Sequence, residues 1–392
     1  MISIVILLAV TLSGFAYGGS DAPSGDEWQS PGLLALNKEQ PHAWFFSFTD
    51  VDSARKVLPD SSALWMDLGG KWRFNWAPDP DSRPQDFYRE DFADSDWDLL
   101  DVPSNWNIAG LGPDGGQRYG TPIYVNVNVP WWKEVVPGDW KKGVMRTPPE
   151  DWTTYAMRNE VGSYRRTFEV PELWDGKRIF IDFDGVDSFF YLWINGRYVG
   201  FSKNSRGTAQ FDITRFLHEG ANTVAVEVYR FSDAANLEAQ DMFRLPGIFR
   251  TVALEARPEV SIRDIRVTPG MKSLAVEAFI RGDAKDLSID WSLYGHPLYS
   301  DADSLVAVFK GCGASCVLDY PPAKPWSAEA PHRYTLVGEL KDASGRTLDI
   351  VSTIVGFRVV EIRRTSASED EFGLAGRYFL LNGKTVKLRG VN

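Results

Sequence analysis

Two polar clusters in this chain are framed by aromatic and turn residues, the composition of a rim that holds a sugar. In such a rim a flat ring face stacks on an aromatic side chain while amides and carboxylates bond the hydroxyls. The first cluster is PIYVNVN at Pro122 to Asn128, with Asn126 as its amide. The second is LEAQDMFRLPGIFR at Leu237 to Arg250, where Asp241 can accept hydroxyl hydrogen bonds and Phe243 can supply an apolar wall. Loop Asn and Asp more often cap turns than touch a ligand, so composition by itself leaves turn capping ahead.

Other self-contained chemistry is missing. The sequence holds no phosphate-cradling Gly loop, no HExxH and no GxSxG elbow with triad partners. His42, His218, His296 and His332 stand apart from one another, which suits turns and surfaces better than catalysis. The acidic strings Asp79 to Asp81 and Asp94 to Asp98 lack the Gly turn and terminal Glu of a calcium loop. Cys312 and Cys316, in GCGASC, could supply only half of a zinc site, and they read equally as a small disulfide or as two thiols.

The elements that must carry these clusters are strands. Short alternating runs rich in Val, Ile, Phe, Tyr and Trp recur between Gly, Asn and Asp turns, as in WRFNW at Trp72, RIFIDF at Arg178, FFYLWI at Phe189 and TVAVEVY at Thr223. Asn195-Gly196 marks a hairpin. Past Pro258 tryptophans thin out and strands follow at sandwich spacing, from Ile262 to Val267, Leu274 to Ile280 and Leu287 to Leu293. Later come Tyr334 to Leu340 and Thr353 to Ile362, a polar linker from Arg363, and a hairpin around Asn382-Gly383 whose last strand runs Val386 to Val391. With 392 residues the chain holds two or three domains.

Residues Ile2 to Leu12 form an apolar run too short to span a bilayer and suited to a secretory signal, so export to a periplasmic or extracellular compartment is expected. The 53 acidic against 42 basic residues give a net charge of −11, which repels a nucleic-acid backbone. Aromatic residues reach 13%, with 15 Trp, more than a core usually needs; neutral sugars fit that excess.

WRFNW, VPSNW at Val102, PIYVNV, GSYRRTFEVP at Gly162, FDGVDSFFYLWINGRYVGFSKNSRGTAQFDIT at Phe183, LEAQDMFRLPGIFR and LLNGKTVKLRGVN at Leu380 follow one another in order. Together they resemble the β-galactosidases of glycoside hydrolase family 2, over nearly the whole chain past the signal. The resemblance implies a mainly β fold: a signal over 1–18, an extension over 19–64, a galactose-binding-like jelly roll over 65–258, an immunoglobulin-like sandwich over 259–365, and over 366–392 a linker and the first strand of a TIM barrel that is otherwise missing. It implies hydrolysis of terminal β-D-galactose through a covalent intermediate, with magnesium and a monovalent cation such as sodium.

The family's two catalytic glutamates and its magnesium ligands have no counterpart here, so no catalytic residue is assigned and the chain alone is expected to be inert. Asn126 matches the family's galactose-contacting Asn. Asp241 matches the Asp that binds a galactosyl hydroxyl and ligates the monovalent cation. Arg244 and Arg250 are expected to brace the second loop, and Phe243 is either pocket wall or loop packing. Ala239 and Glu160 depart from the family pattern, and the Trp-rich stretch Pro130 to Asn159 is long for it. The alternatives are a free-standing, lectin-like sugar-binding protein and a fragment that complements a separate barrel chain; the complete enzyme could also form a homo-oligomer.

Overall fold

The computed structural model describes residues 22–125, 159–238, 242–369, 373, 376–388 and 390. The first sandwich opposes a seven-stranded to a four-stranded antiparallel sheet. The larger runs Ala35–Leu36, Arg197–Ser202, Phe189–Ile194, Ala221–Tyr229, Val161–Glu169, Gly70–Ala77, Asp98–Val102. The smaller runs Ala209–Asp212, Arg178–Phe183, Val252–Arg257, Trp65–Asp67.

Strand Phe189–Ile194 is buried at every position because both of its faces are covered. Phe190, Leu192 and Ile194 enter the core between the sheets. Phe189, Tyr191 and Trp193 enter a second aromatic core with Trp28, Phe87 and Trp97 on the opposite face. Successive side chains of a strand alternate between faces, so one strand feeds both cores. This second core, together with buried Trp72, Trp106, Trp174 and Trp291, absorbs much of the tryptophan excess that composition had pointed toward sugars.

The second sandwich opposes Ser261–Pro269, Ser273–Arg281 and Ser315–Asp319 to a sheet of Ser47–Phe48, Thr347–Val355, Tyr334–Lys341, Ser288–Gly295 and Ser304–Cys312. Its core gathers Trp291, Leu293, Leu336, Leu340 and Phe357. The extension therefore gives one strand to each sandwich: Ala35–Leu36 pairs with Phe201 and Ser202, and Ser47–Phe48 with Ile350 and Val351.

Asn195-Gly196 and Asn382-Gly383 have φ of 49° and 72°, and 52° and 77°, as two-residue hairpin turns require. Two expected boundaries move. The run Thr353 to Ile362 is two strands, Thr347–Val355 and Val360–Thr365, interrupted where Phe357 turns into the core. The last hairpin strand is Lys384–Thr385, and Val386 to Leu388 lie beyond it. The expected signal, residues 1–18, lies outside the described residues, among which no helix is long and apolar enough to cross a membrane. Cys312 and Cys316 are free, and burial pushes the Cys316 thiol up to about 12.

Candidate functional site

The two polar clusters, far apart in sequence, meet in one small ladder. Ile123–Val125 pairs antiparallel with Met242–Arg244, Ile123 opposite Arg244 and Val125 opposite Met242. Asn126 follows Val125 and Asp241 precedes Met242, so the chain leaves the last described pair at both sugar-contact candidates. Asn126, Asp241 and Ala239 themselves lie outside the described residues, as does the stretch 130–158.

Arg230 fixes this ladder from beneath. Its Nη1 donates to Glu160 Oε1 at 2.8 Å, and its Nη2 donates to the carbonyls of Thr121 at 2.7 Å and Arg244 at 3.4 Å. One guanidinium thus grips the segments leading to both clusters, a task its planar fork suits better than an ammonium. The Arg230 and Glu160 side chains are 1% and 0% exposed. Glu160, the departure from the family pattern, is the carboxylate that makes this buried guanidinium tolerable. Asn107 Nδ2 adds a longer bond to Glu160 Oε2 at 3.4 Å.

The VPSNW segment carries the far side of the second loop. Asn105 Nδ2 donates to the Leu245 carbonyl at 2.7 Å, and Ser104 N to the Ile248 carbonyl at 2.8 Å. At the loop's beginning Glu238 accepts hydrogen bonds from Ser205 N at 2.9 Å and Ser205 Oγ at 2.5 Å. Arg244 Nη1 reaches the Glu238 carbonyl at 3.5 Å and Arg250 Nη1 the Arg206 carbonyl at 3.1 Å, so both arginines brace backbone. Phe243 is 58% exposed, which favours a wall over loop packing.

Beside Met242 lies a hollow of about 20 Å³, lined by Asp187, Arg206, Arg230, Glu238 and Arg244. That is room for about one water. Burial pushes the Asp187 carboxyl up to about 7 despite Arg206 Nη2 at 3.3 Å. Between its ordinary value of 3.8 and 7 the folded chain holds a proton that the unfolded chain has released. The stability tied to this group is complete below about pH 4 and is lost as pH rises through 7. Asp187→Asn should therefore flatten the pH profile of thermal melting between about 4 and 7; parallel profiles for variant and parent would rule this out.

Among the described residues no group of three or more His, Cys, Asp or Glu side chains could hold a metal. At the hollow the guanidiniums of Arg206, Arg230 and Arg244 stand beside only two carboxyl groups, Asp187 and Glu238. The described residues do not by themselves fit the magnesium or the monovalent cation that the resemblance implies.

The chain thus joins a jelly-roll sandwich, which carries the paired segments Ile123–Val125 and Met242–Arg244, to an immunoglobulin-like sandwich. Residues 65–258 match the model described as "Glycosyl hydrolases family 2, sugar binding domain", and residues 260–358 the model "Glycosyl hydrolases family 2". The chain belongs to glycosyl hydrolase family 2.

A β-galactosidase of Priestia megaterium is 36% identical over 93% of this chain, and one of Aeromonas hydrophila is 35% identical over 93%. The chain spans 34% of the length of each. Similar solved structures include a β-glucuronidase of Bifidobacterium dentium, at 20% identity and TM-score 0.57, over 82% of this chain and 51% of that one. A β-glycosidase of Bacteroides vulgatus has 24% identity and TM-score 0.55, over 83% and 36%. At these identities the solved structures support the fold alone.

Arg230 escaped sequence reasoning. It follows the apolar strand TVAVEVY as an ordinary strand-end charge, and its partner lies 70 residues away. The only trace in sequence is Glu160, an acid set before an apolar strand.

Proposed function

We propose that this chain supplies the sugar-facing loops of a retaining β-galactosidase, with Asn126 and Asp241 bonding the hydroxyls of a terminal β-D-galactose. The observation that carries this reading is the ladder that ends on Val125 and Met242, one residue from each candidate. The two β-galactosidase relatives favour galactose over glucuronate. The arginines at the hollow are also committed, Arg230 to Glu160, Arg206 to Asp187 and Arg244 to a backbone carbonyl, which leaves a uronate carboxylate poorly served.

Retaining hydrolysis needs two carboxyl groups about 5–5.5 Å apart. The carboxyl groups at the hollow are otherwise employed, Glu238 by Ser205 and Asp187 by Arg206. Our reading is a chain that contacts the sugar and does not cleave it unaided.

Purified chain, with magnesium and sodium present, should turn over neither a chromogenic β-galactoside nor a chromogenic β-glucuronide; turnover of either overturns this reading. Calorimetric titration should detect methyl β-D-galactoside binding more tightly than the β-glucuronide. Asp241→Asn or Asn126→Ala should weaken the galactoside about tenfold, the cost of one lost polar contact to a charged or buried partner. A reversed order of the two sugars would sink the galactose assignment.

A further inference from the structure

A larger cleft, of about 500 Å³, lies between the extension and the outer face of the four-stranded sheet. We infer that this cleft is a second saccharide site, separate from the Asn126 and Asp241 loops, that takes one neutral hexose ring. Its volume falls in the range of small-ligand sites.

The walls are built and held. Along one side, Glu39 N donates to the Gln210 carbonyl at 2.8 Å, His42 Nε2 lies 3.2 Å from Gln210 Oε1, and Ala43 N donates to Asp264 Oδ1 at 2.8 Å. These bonds tie the extension to the first sandwich and to the second. Three aromatic rings form a row on this wall: Trp44 meets Phe46 edge-on at 5.0 Å, and Phe46 meets Trp65 at 6.4 Å. Phe46 is buried and supports the row, whereas Trp44 is 60% exposed and offers its ring to a ligand.

The sheet side is acidic. Asp67, Asp182 and Asp184 line the cleft and form no ion pair with any described residue. Asp182 Oδ1 is buried and has no hydrogen-bond partner. Burial pushes this carboxyl well above its ordinary value, with the Glu255 carboxylate adding to the effect. The unpartnered Oδ1 there can accept from a ring hydroxyl. Asp184 Oδ1 accepts from Thr208 Oγ1 at 3.0 Å, which fixes its rotamer and leaves Oδ2 for a ligand.

Two alternatives fit less well. The acids are spread around the cleft, and among the described residues no three such groups converge closely enough to hold a metal. A uronate, sulfate or phosphate would face Asp67, Asp182 and Asp184 with Lys38 as the lysine on the lining, a Lys whose ammonium form burial disfavours. A neutral ring stacked on Trp44, with hydroxyls toward the acids, satisfies both walls.

The test is fluorine NMR of the full chain labelled with 5-fluorotryptophan, titrated with lactose and, separately, with galacturonate. The Trp44 resonance, assigned by its loss in Trp44→Phe, should shift saturably with lactose and stay put with galacturonate. Asp184→Asn should weaken the lactose titration about tenfold, the effect of one charge-assisted hydrogen bond. A Trp44 signal unmoved by lactose at roughly 20 mM, above the range of a weak millimolar binder, would overturn the proposal. So would an equal response to galacturonate, or a titration indifferent to Asp184→Asn in a variant that melts like the parent.

Asp241→Asn separates the two readings. A Trp44 shift that survives in this variant keeps the cleft as a site of its own even if galactoside binding at the loops fails. A shift abolished with it would merge the cleft into the first site and end the proposal.

Discussion

Arg230→Met should cost the chain about 3–5 kcal/mol of folding stability, the usual penalty for stranding one member of a buried ion pair. Glu160 would be left fully buried with its principal cationic partner gone, retaining the 3.4 Å bond from Asn107. The Thr121 and Arg244 carbonyls would lose their shared donor at the same stroke. The loss should therefore appear twice, as a lower urea midpoint and as faster amide exchange over Ile123–Val125 and Met242–Arg244. Combining the variant with Glu160→Leu should recover much of the stability, because an apolar pair of similar volume avoids burying either charge. It should not restore slow exchange in the ladder, since both carbonyls would still lack the bond from the Arg230 guanidinium. If the double variant were no more stable than Arg230→Met, the ion pair would not be the source of the loss.

Gly247→Ala should be the second most damaging change, for a different reason. Gly247 has φ of +127°, a region that side chains avoid, and a β-carbon there would sit 2.7 Å from the Ser104 carbonyl oxygen. The obstacle is backbone, so no rotamer change relieves it. Strain of this kind costs on the order of 1–3 kcal/mol, and relief requires the LPGIF turn to move. Gly247 pairs with Asp187, and Ile248 accepts from Ser104 N, so movement should reach both the hollow and the VPSNW segment. Thermal melting and galactoside titration together check this: lower stability with weaker binding is expected, and an unchanged melting temperature would show that the turn yields freely.

The strands were legible because their alternation and their Asn-Gly turns are local properties. FFYLWI could be read as a strand, but its burial on both faces became visible only with the second aromatic core. The break after Val355 was not legible, because Phe357 and Val360 continue an apolar run and only the tertiary fold turns Phe357 inward. In the candidate site, the aromatic and polar composition of both loops could be read, yet their adjacency could not. Adjacency depends on pairing between Ile123–Val125 and Met242–Arg244, which are short and carry no register signal of their own. The Arg230 and Glu160 pair was hidden for a similar reason: each is an unremarkable charge until the fold brings them together. The cleft under Trp44 was invisible because its walls come from the extension and from a sheet with no local link between them.

The extension behaves as a clasp. By lending Ala35–Leu36 to one sheet and Ser47–Phe48 to another, it fills an edge on each sandwich that would otherwise present unpaired N–H and C=O groups to solvent. It also joins the two bodies mechanically: a hinge motion that pulled them apart would have to peel a strand from one before they could separate. The two sandwiches are therefore expected to tumble and turn as one rigid lever, so that a load applied to the second is felt at the loops carried by the first.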